Sequence, residues 1–129
     1  MGYLIPENET ACTIVDCALR VHRALGPGLL ESAYEECLFF KLTRVGLFVE
    51  KQKPLPLIFE EVRLEIGYRV DLLVDQKVIV EVKSVEALTD VHLAQVLTYL
   101  KLSGCRLGLL INFNVALIKD GIKRVVNKL

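Results

Sequence analysis

A chain of 129 residues, 53% hydrophobic and 25% charged, has the length of one domain spanning 1–129 and enough apolar side chain for one core. Its 16 basic and 16 acidic residues cancel, which argues against a non-specific nucleic-acid coat but leaves room for a local basic groove beside an acidic site. Although the mean hydropathy is +0.43, no apolar run approaches the ~18 residues of a membrane span, so no membrane partner is expected.

The first residues, M-G-Y-L-I-P-E-N-E-T, carry no basic stretch ahead of a long apolar one and do not read as a secretory signal. Pro6 stands where N-myristoylation after Met-Gly needs Ser or Thr. The expected location is cytoplasmic. Cys12, Cys17, Cys37 and Cys105 form no C-x-x-C pair, so zinc is not indicated. The first three sit among apolar residues in helical patterns and read as buried free thiols of a reducing compartment.

Ile14, Cys17, Ala18, Val21 and Leu25 keep helical spacing, which predicts a first helix over about Thr10–Leu25. Asn8 or Thr10 would cap it and Gly26-Pro27-Gly28 would end it. Leu30, Tyr34, Cys37, Leu38, Leu42 and Val45 predict a second helix over about Leu29–Val45, closed by Gly46. Leu47–Lys53 alternates apolar and polar, as a half-buried strand does. Pro54 and Pro56 interrupt it, which places there either a bend between strands or an edge strand. Leu57–Phe59 begins another extended piece, and Glu65–Val74 and Lys77–Val85 read as two strands around a short polar turn.

Thr89 or Asp90 caps a third helix to about Leu102, with Ser103-Gly104 as its stop. Arg106–Phe113 is a continuous apolar run suited to a strand buried on both faces. Val115–Lys119 and Ile122–Val126 flank Asp120-Gly121, a hairpin signal. The expected order is α-α-β-β-β-β-α-β-β-β, with the strand–helix–strand unit from Lys77 to Phe113 forming a right-handed parallel pair. The expected fold is α/β (α+β), a central mixed sheet with helices on both sides.

Three charged residues, Asp71, Glu81 and Lys83, interrupt apolar runs in Y-R-V-D-L-L-V-D-Q-K-V-I-V-E-V-K, residues 68–83. Glu81 and Lys83 share one face of their strand. Asp71 joins them or not according to register. If Asp75-Gln76 alone form the turn, Val74 pairs Lys77 and Asp71 faces away from Glu81. If the turn is Asp75-Gln76-Lys77, Val74 pairs Val78 and Asp71 falls opposite Glu81. In the second register the carboxylates repel, and a divalent cation on oxygen ligands, with a lysine two residues on, would neutralise them.

Taken alone, the three residues fit a solvated hairpin face more readily. Two further features bear on them. His92, Gln95 and Tyr99 fall at i, i+3 and i+7 on one stripe of the third helix. Glu31 lies three residues before Tyr34 in G-L-L-E-S-A-Y, in a first helical turn where the dipole favours a carboxylate in any case.

Together these residues resemble the GxxExxY proteins, a branch of the PD-(D/E)XK nuclease superfamily. The name motif stands as Gly28-Leu29-Leu30-Glu31-Ser32-Ala33-Tyr34. The likeness continues through V-H-R-A-L-G-P-G at 21–28, E-K-Q-K-P-L-P at 50–56, Y-R-V-D-L-L-V at 68–74 and V-I-V-E-V-K at 78–83. It extends to Q-V-L-T-Y-L at 95–100, G-L-L-I-N-F at 108–113 and I-K-R-V-V-N at 122–127.

The resemblance implies a restriction-endonuclease-like α-β-β-β-α-β core whose first helix carries Glu31. It implies that Asp71 and Glu81 bind Mg²⁺ or Mn²⁺, helped by the Val82 carbonyl and completed by Glu31. Lys83 would orient or activate the attacking water. Gln95 and Tyr99 resemble a Q-x-x-x-Y helix motif that contacts substrate or orders the site. E-V-K stands where E-L-K is more usual in the branch, without consequence for the chemistry. The resemblance also requires the second hairpin register.

The expected function is a metal-dependent nuclease acting on nucleic acid, DNA rather than RNA, with Lys51, Lys53, Arg63 and Arg69 as phosphate contacts or as solvated surface. The alternatives are a non-catalytic nucleic-acid-binding or regulatory module that keeps the nuclease fold, and a subunit needing a partner. A small core has little surface to grip a duplex, so a homodimer is expected, with Val115–Val126 as an interface or as core.

Overall fold

The computed structural model describes residues 5–129. Met1–Leu4, part of the stretch read for a signal or a lipid site, lie outside the described residues. Helix α1 starts at Pro6, earlier than its apolar spacing predicts, and runs to Leu25. Pro6 stands at the start of the helix, where its fixed φ suits the turn and its missing N–H costs nothing. Glu7 and Glu9 follow in the first turn, at the positive end of the dipole. These residues make the start that was expected of a cap at Asn8 or Thr10.

Helix α2 spans Glu31–Arg44 and α3 spans Asp90–Ser103. Thr89 caps α3 as the sequence predicts. Its hydroxyl accepts from the His92 N–H, and His92 Nδ1 accepts from the Thr89 N–H at 3.0 Å. Gly104, in the left-handed conformation, ends the helix. Among the described residues, no helix is long and apolar enough to cross a membrane.

Among the described residues, five strands form one sheet in chain order: β1 (Val49–Phe59), β2 (Val62–Val74), β3 (Val78–Lys83), β4 (Leu107–Asn112) and β5 (Ile122–Val126). Only β3 and β4 are parallel, joined through α3 as expected. On one face, α1 and α2 bring Ile14, Cys17, Ala18, Tyr34, Leu38 and Leu42 onto Leu72, Val74, Val80, Val82 and Ile111. On the other, α3 brings Tyr99 and Leu100 onto Leu55, Val70, Leu73 and Ile79. Period-2 alternation along β3 feeds both layers.

Two strand expectations need correction. Leu47–Lys53 and Leu57–Phe59 are not separate pieces, because β1 runs through Pro54 and Pro56. It is the edge strand, so the missing proline N–H groups take nothing from the ladder, and the irregularity is confined to a register shift between Leu55 and Leu57. Residues Val115–Lys119 form no strand and Asp120-Gly121 makes no hairpin. Ile118–Gly121 is a short 3₁₀ turn, and β5 pairs directly with β4, Ile122 opposite Ile111.

Buried Ile118 and a hydrogen bond of 2.7 Å between His22 Nε2 and the Val115 carbonyl hold that connection against α1. Gly121 is needed there for space, not for a left-handed turn. A Cβ on it would lie 2.1 Å from the Asn112 carbonyl oxygen, against backbone that cannot yield. Gly121→Ala is therefore expected to destabilise the fold by about 3 kcal/mol, the upper part of the overpacking range. Denaturant unfolding measures it, and a loss under about 0.5 kcal/mol would contradict the contact.

Candidate active site at the fork of two strands

The turn between β2 and β3 decides the register. Asp75 and Gln76 are both left-handed, at φ +50° and +57°, and the Lys77 N–H reaches the Val74 carbonyl at 3.1 Å. Asp75 is tied to the chain ahead of β1, its N–H donating to the Phe48 carbonyl (2.7 Å) and its Oδ1 accepting from the Phe48 N–H (2.9 Å). Val74 pairs Val78 and Leu72 pairs Val80, the second of the two registers open to the sequence.

One step further the ladder gives way to side chains. The Asp71 N–H donates to Glu81 Oε2 at 2.7 Å, and the Val82 N–H donates to Asp71 Oδ2 at 2.8 Å. Two carboxylates occupy the place of ladder carbonyls, and β2 and β3 part there. Asp71 is also opposite a break in β1. Gln52 takes φ +54° and drops out of the pairing between Lys51–Leu72 and Lys53–Val70. The register is the same on either side of this break, yet the alternation of β2 slips there, with Val70 and Leu73 in the α3 layer and Leu72 and Val74 in the α1/α2 layer.

At this break Gln52 links a third carboxylate to the site. Gln52 Nε2 donates to Glu35 Oε1 on α2 at 2.7 Å and reaches Asp71 Oδ1 at 3.3 Å. The electrostatics record the crowding. Burial pushes the Glu81 carboxyl up to about 8, and the Asp71 charge adds to it against the pull of the Asp71 N–H and Lys83. Burial, then the Asp71 charge, raises Glu35 to about 7. Tyr99 is raised by burial and then by Glu81 and Asp71, so its hydroxyl stays protonated.

Of the residues singled out in the sequence, Asp71 and Glu81 are interlocked, and Glu81 is only 3% exposed. Lys83 is half-buried two residues on, and its charge is felt by Glu81. Val82 enters through its N–H, which Asp71 holds. Gln95 lies beside Tyr99 and lowers its pKa slightly, and Tyr99 senses both carboxylates across the sheet face. His92, on the same sequence stripe, serves the α3 cap instead.

Glu31 is exposed at the first residue of α2; the carboxylate that meets Asp71 through Gln52 is Glu35, one turn later. Tyr34 of the same motif is wholly buried and stacks on Phe113 with centroids 4.6 Å apart. Its hydroxyl donates to the Gly26 carbonyl and accepts from the Leu29 N–H, while Ser84, next to Lys83, donates to the Leu29 carbonyl. The motif's Tyr thus pins the Gly-rich loop against the end of β3.

The donors at the fork are hard oxygens with surplus negative charge, which suits Mg²⁺ or Mn²⁺ better than zinc. Asp71 and Glu81 each keep a second oxygen outside the backbone bonds. Among the described residues no three such groups already enclose a single point, so binding an ion requires the carboxylates to close around it. The chemistry of the donor set fits the ion.

A mixed sheet layered by helices on both faces, with an Asp, a Glu and a Lys at the fork between two strands, defines a nuclease-like α/β core. A family model described as the PD-(D/E)XK nuclease superfamily matches residues 8–125, and the chain belongs to that superfamily. No curated protein and no solved structure matches the chain. Nucleases of this superfamily generally use divalent metals.

Proposed function

We propose that the chain is a Mg²⁺- or Mn²⁺-dependent nuclease of the GxxExxY branch, hydrolysing phosphodiester bonds of DNA as one domain over 1–129. The observation that carries this reading is the Asp71–Glu81 interlock, in which the buried Glu81 is raised in pKa by that burial and then by the Asp71 charge, with Lys83 beside it. Asp71, Glu81 and Glu35 would hold the ion, with the Val82 carbonyl and Glu35 in the role that the resemblance gives to Glu31. When bound, the ion lowers the pKa of a coordinated water and offsets charge on the scissile phosphate.

Lys83 stabilises the charge that builds on the phosphate oxygens. Tyr99, kept protonated by its raised pKa, donates a hydrogen bond into the site. The proposed place of action is the cytosol, where the four free thiols stay reduced.

The test is a panel of single-stranded, duplex, flap and four-way-junction DNA, plus RNA, with Mg²⁺ or Mn²⁺ and with EDTA. Metal-dependent cleavage that is strongest on DNA is expected. Mn²⁺ binding without cleavage of any substrate would favour a regulatory or binding module, or a subunit awaiting its partner. We also propose a homodimer. Ile58, Phe59, Val62 and Ile66 are 52–60% exposed along one hairpin, more contiguous apolar surface than a monomer usually leaves open. Sedimentation should give about 29 kDa, twice the 14.5 kDa of one chain.

A further inference from the structure

Beyond Asp71, the fork is open. β2 pairs β3 only from Leu72 to Val74, so among the described residues it has, from Val62 to Val70, β1 on one side and no strand on the other. Tyr68 stands on that free length, three residues from Asp71. Its ring is 38% exposed and leans on Tyr99, centroids 6.0 Å apart at 57°. Tyr99 is itself buried and lies within the field of Asp71 and Glu81. Tyr68 is thus an exposed aromatic ring braced from below by a ring that senses the carboxylates. The brace matters because a ring with fixed orientation loses little freedom when a second ring stacks on it.

The local backbone aims it. Between Leu55–Tyr68 and Leu57–Leu64 the two strands fall out of register, and the extra residues of β2, Glu65 to Gly67, include Gly67 at φ +87°. A bulge beside a catalytic site is a common device for re-aiming a side chain. The second observation concerns charge. Lys51, Lys53 and Arg63, the cations near the fork, are each held by an acid: Glu36, Glu50 and Glu65. Arg69 and Lys83 take part in no ion pair among the described residues. Two cations neutralise few phosphates, so a nucleic acid bound here draws its affinity from base contacts more than from phosphate pairing.

We propose that Tyr68 is a stacking platform for an unpaired nucleobase, with Arg69 on its flanking phosphate, so that the fork takes single-stranded nucleic acid. A base in a duplex has both faces covered by its neighbours and offers none to Tyr68. The inference rests on the nuclease reading and adds the strandedness of its substrate. The cavity of about 480 Å³ under the β1–β2 hairpin, lined by Lys53, Arg63, Gln76 and Cys105, shares none of the carboxylates and plays no part in it.

Binding of a fluorescein-labelled single-stranded 20-mer and of a blunt GC-rich duplex is measured by anisotropy in Ca²⁺, and cleavage of both in Mn²⁺. Tyr68→Ala and Tyr68→Leu are expected to weaken single-strand binding about ten-fold or more, the scale of one lost stacked base, and duplex binding by less than about two-fold. Tyr68→Trp should restore single-strand binding. Phe40→Ala, at an exposed position of α2, is the control and should match wild type. The salt slope of log K should be shallow, about −1.4 for two phosphates on a single strand.

Equal losses on both substrates, or wild-type binding by Tyr68→Leu, would overturn the stacking platform while the nuclease reading stands on the cleavage data. A wild-type chain that neither binds nor cleaves either oligonucleotide overturns both. Unchanged melting temperatures of the variants confirm that folding is not being read.

Discussion

Lys83→Ala is expected to lower cleavage by about 10²–10³-fold with little change in KM, the pattern of a group that acts on charge developing in the transition state. Mn²⁺ affinity, followed by calorimetry, should stay close to wild type, because the ammonium is not a ligand. Asp71→Ala should do the reverse in its first effect. It removes the acceptor of the Val82 N–H and the centre of the carboxylate cluster, so Mn²⁺ binding is lost and cleavage falls below detection. The two variants separate positioning of the ion from use of its charge.

The same assay distinguishes the helix carboxylates. Glu35→Gln should weaken Mn²⁺ binding and cleavage by about 10–100-fold, since it alters the group that shares Gln52 with Asp71. Glu31→Gln should change either by less than about two-fold. A larger loss at Glu31 than at Glu35 would return the role to the motif's own glutamate.

Without metal, the protein should become less stable as pH rises from 5.5 to 8.5. Glu81 and Glu35 titrate near 8 and 7 in the fold, against roughly 4.3 for an unfolded glutamate. A carboxyl raised in this way holds its proton more tightly folded than unfolded, so its contribution is whole below the unfolded pKa. It declines through neutral pH and is gone above the folded pKa. Glu35 is partly solvated and contributes less than its shift suggests.

The EDTA-treated chain should therefore melt at least ~5 °C lower at pH 8.5 than at pH 5.5. Mg²⁺ or Mn²⁺ should raise the melting temperature strongly at pH 8.5 and weakly at pH 5.5, where protons already hold the carboxylates. Glu81→Gln should flatten the metal-free slope and abolish most of the metal response. Calorimetry across that range decides the matter, and a wild-type slope no steeper than that of Glu81→Gln would refute the shared origin.

Several features follow from neighbouring residues alone and were readable from the sequence. The Thr89 cap and the Gly104 stop of α3, the helical spacing of α1, and the buried run that became β4 are of this kind. So is the parallel placement of β3 and β4, since handedness constrains any strand–helix–strand unit. The carboxylates and lysine of the fork stood out because Asp71, Glu81 and Lys83 break apolar alternation. Glu35 did not stand out. It sits four residues after Glu31 on the same stripe of α2, and nothing local chooses between them. Gln52 lies in a run of charged and polar residues where no pattern marks a break in pairing.

Tertiary structure decided what depends on closing the chain on itself. The hairpin register is settled by Asp75 gripping Phe48, 27 residues away. The link between Glu35 and Asp71 is made by Gln52, 17 residues on from Glu35. The fate of residues 115–119 is settled by His22, 93 residues earlier. Pro54 and Pro56 signal a break in any strand, yet at an edge they remove no bond, and only the order of strands shows which strand is the edge. Periodicity and capping act within a turn or two, so sequence alone marked most of the elements and the chemistry they carry. Register, edge and the meeting of carboxylates are set by single contacts between distant residues, whose energies exist only once the sheet has formed.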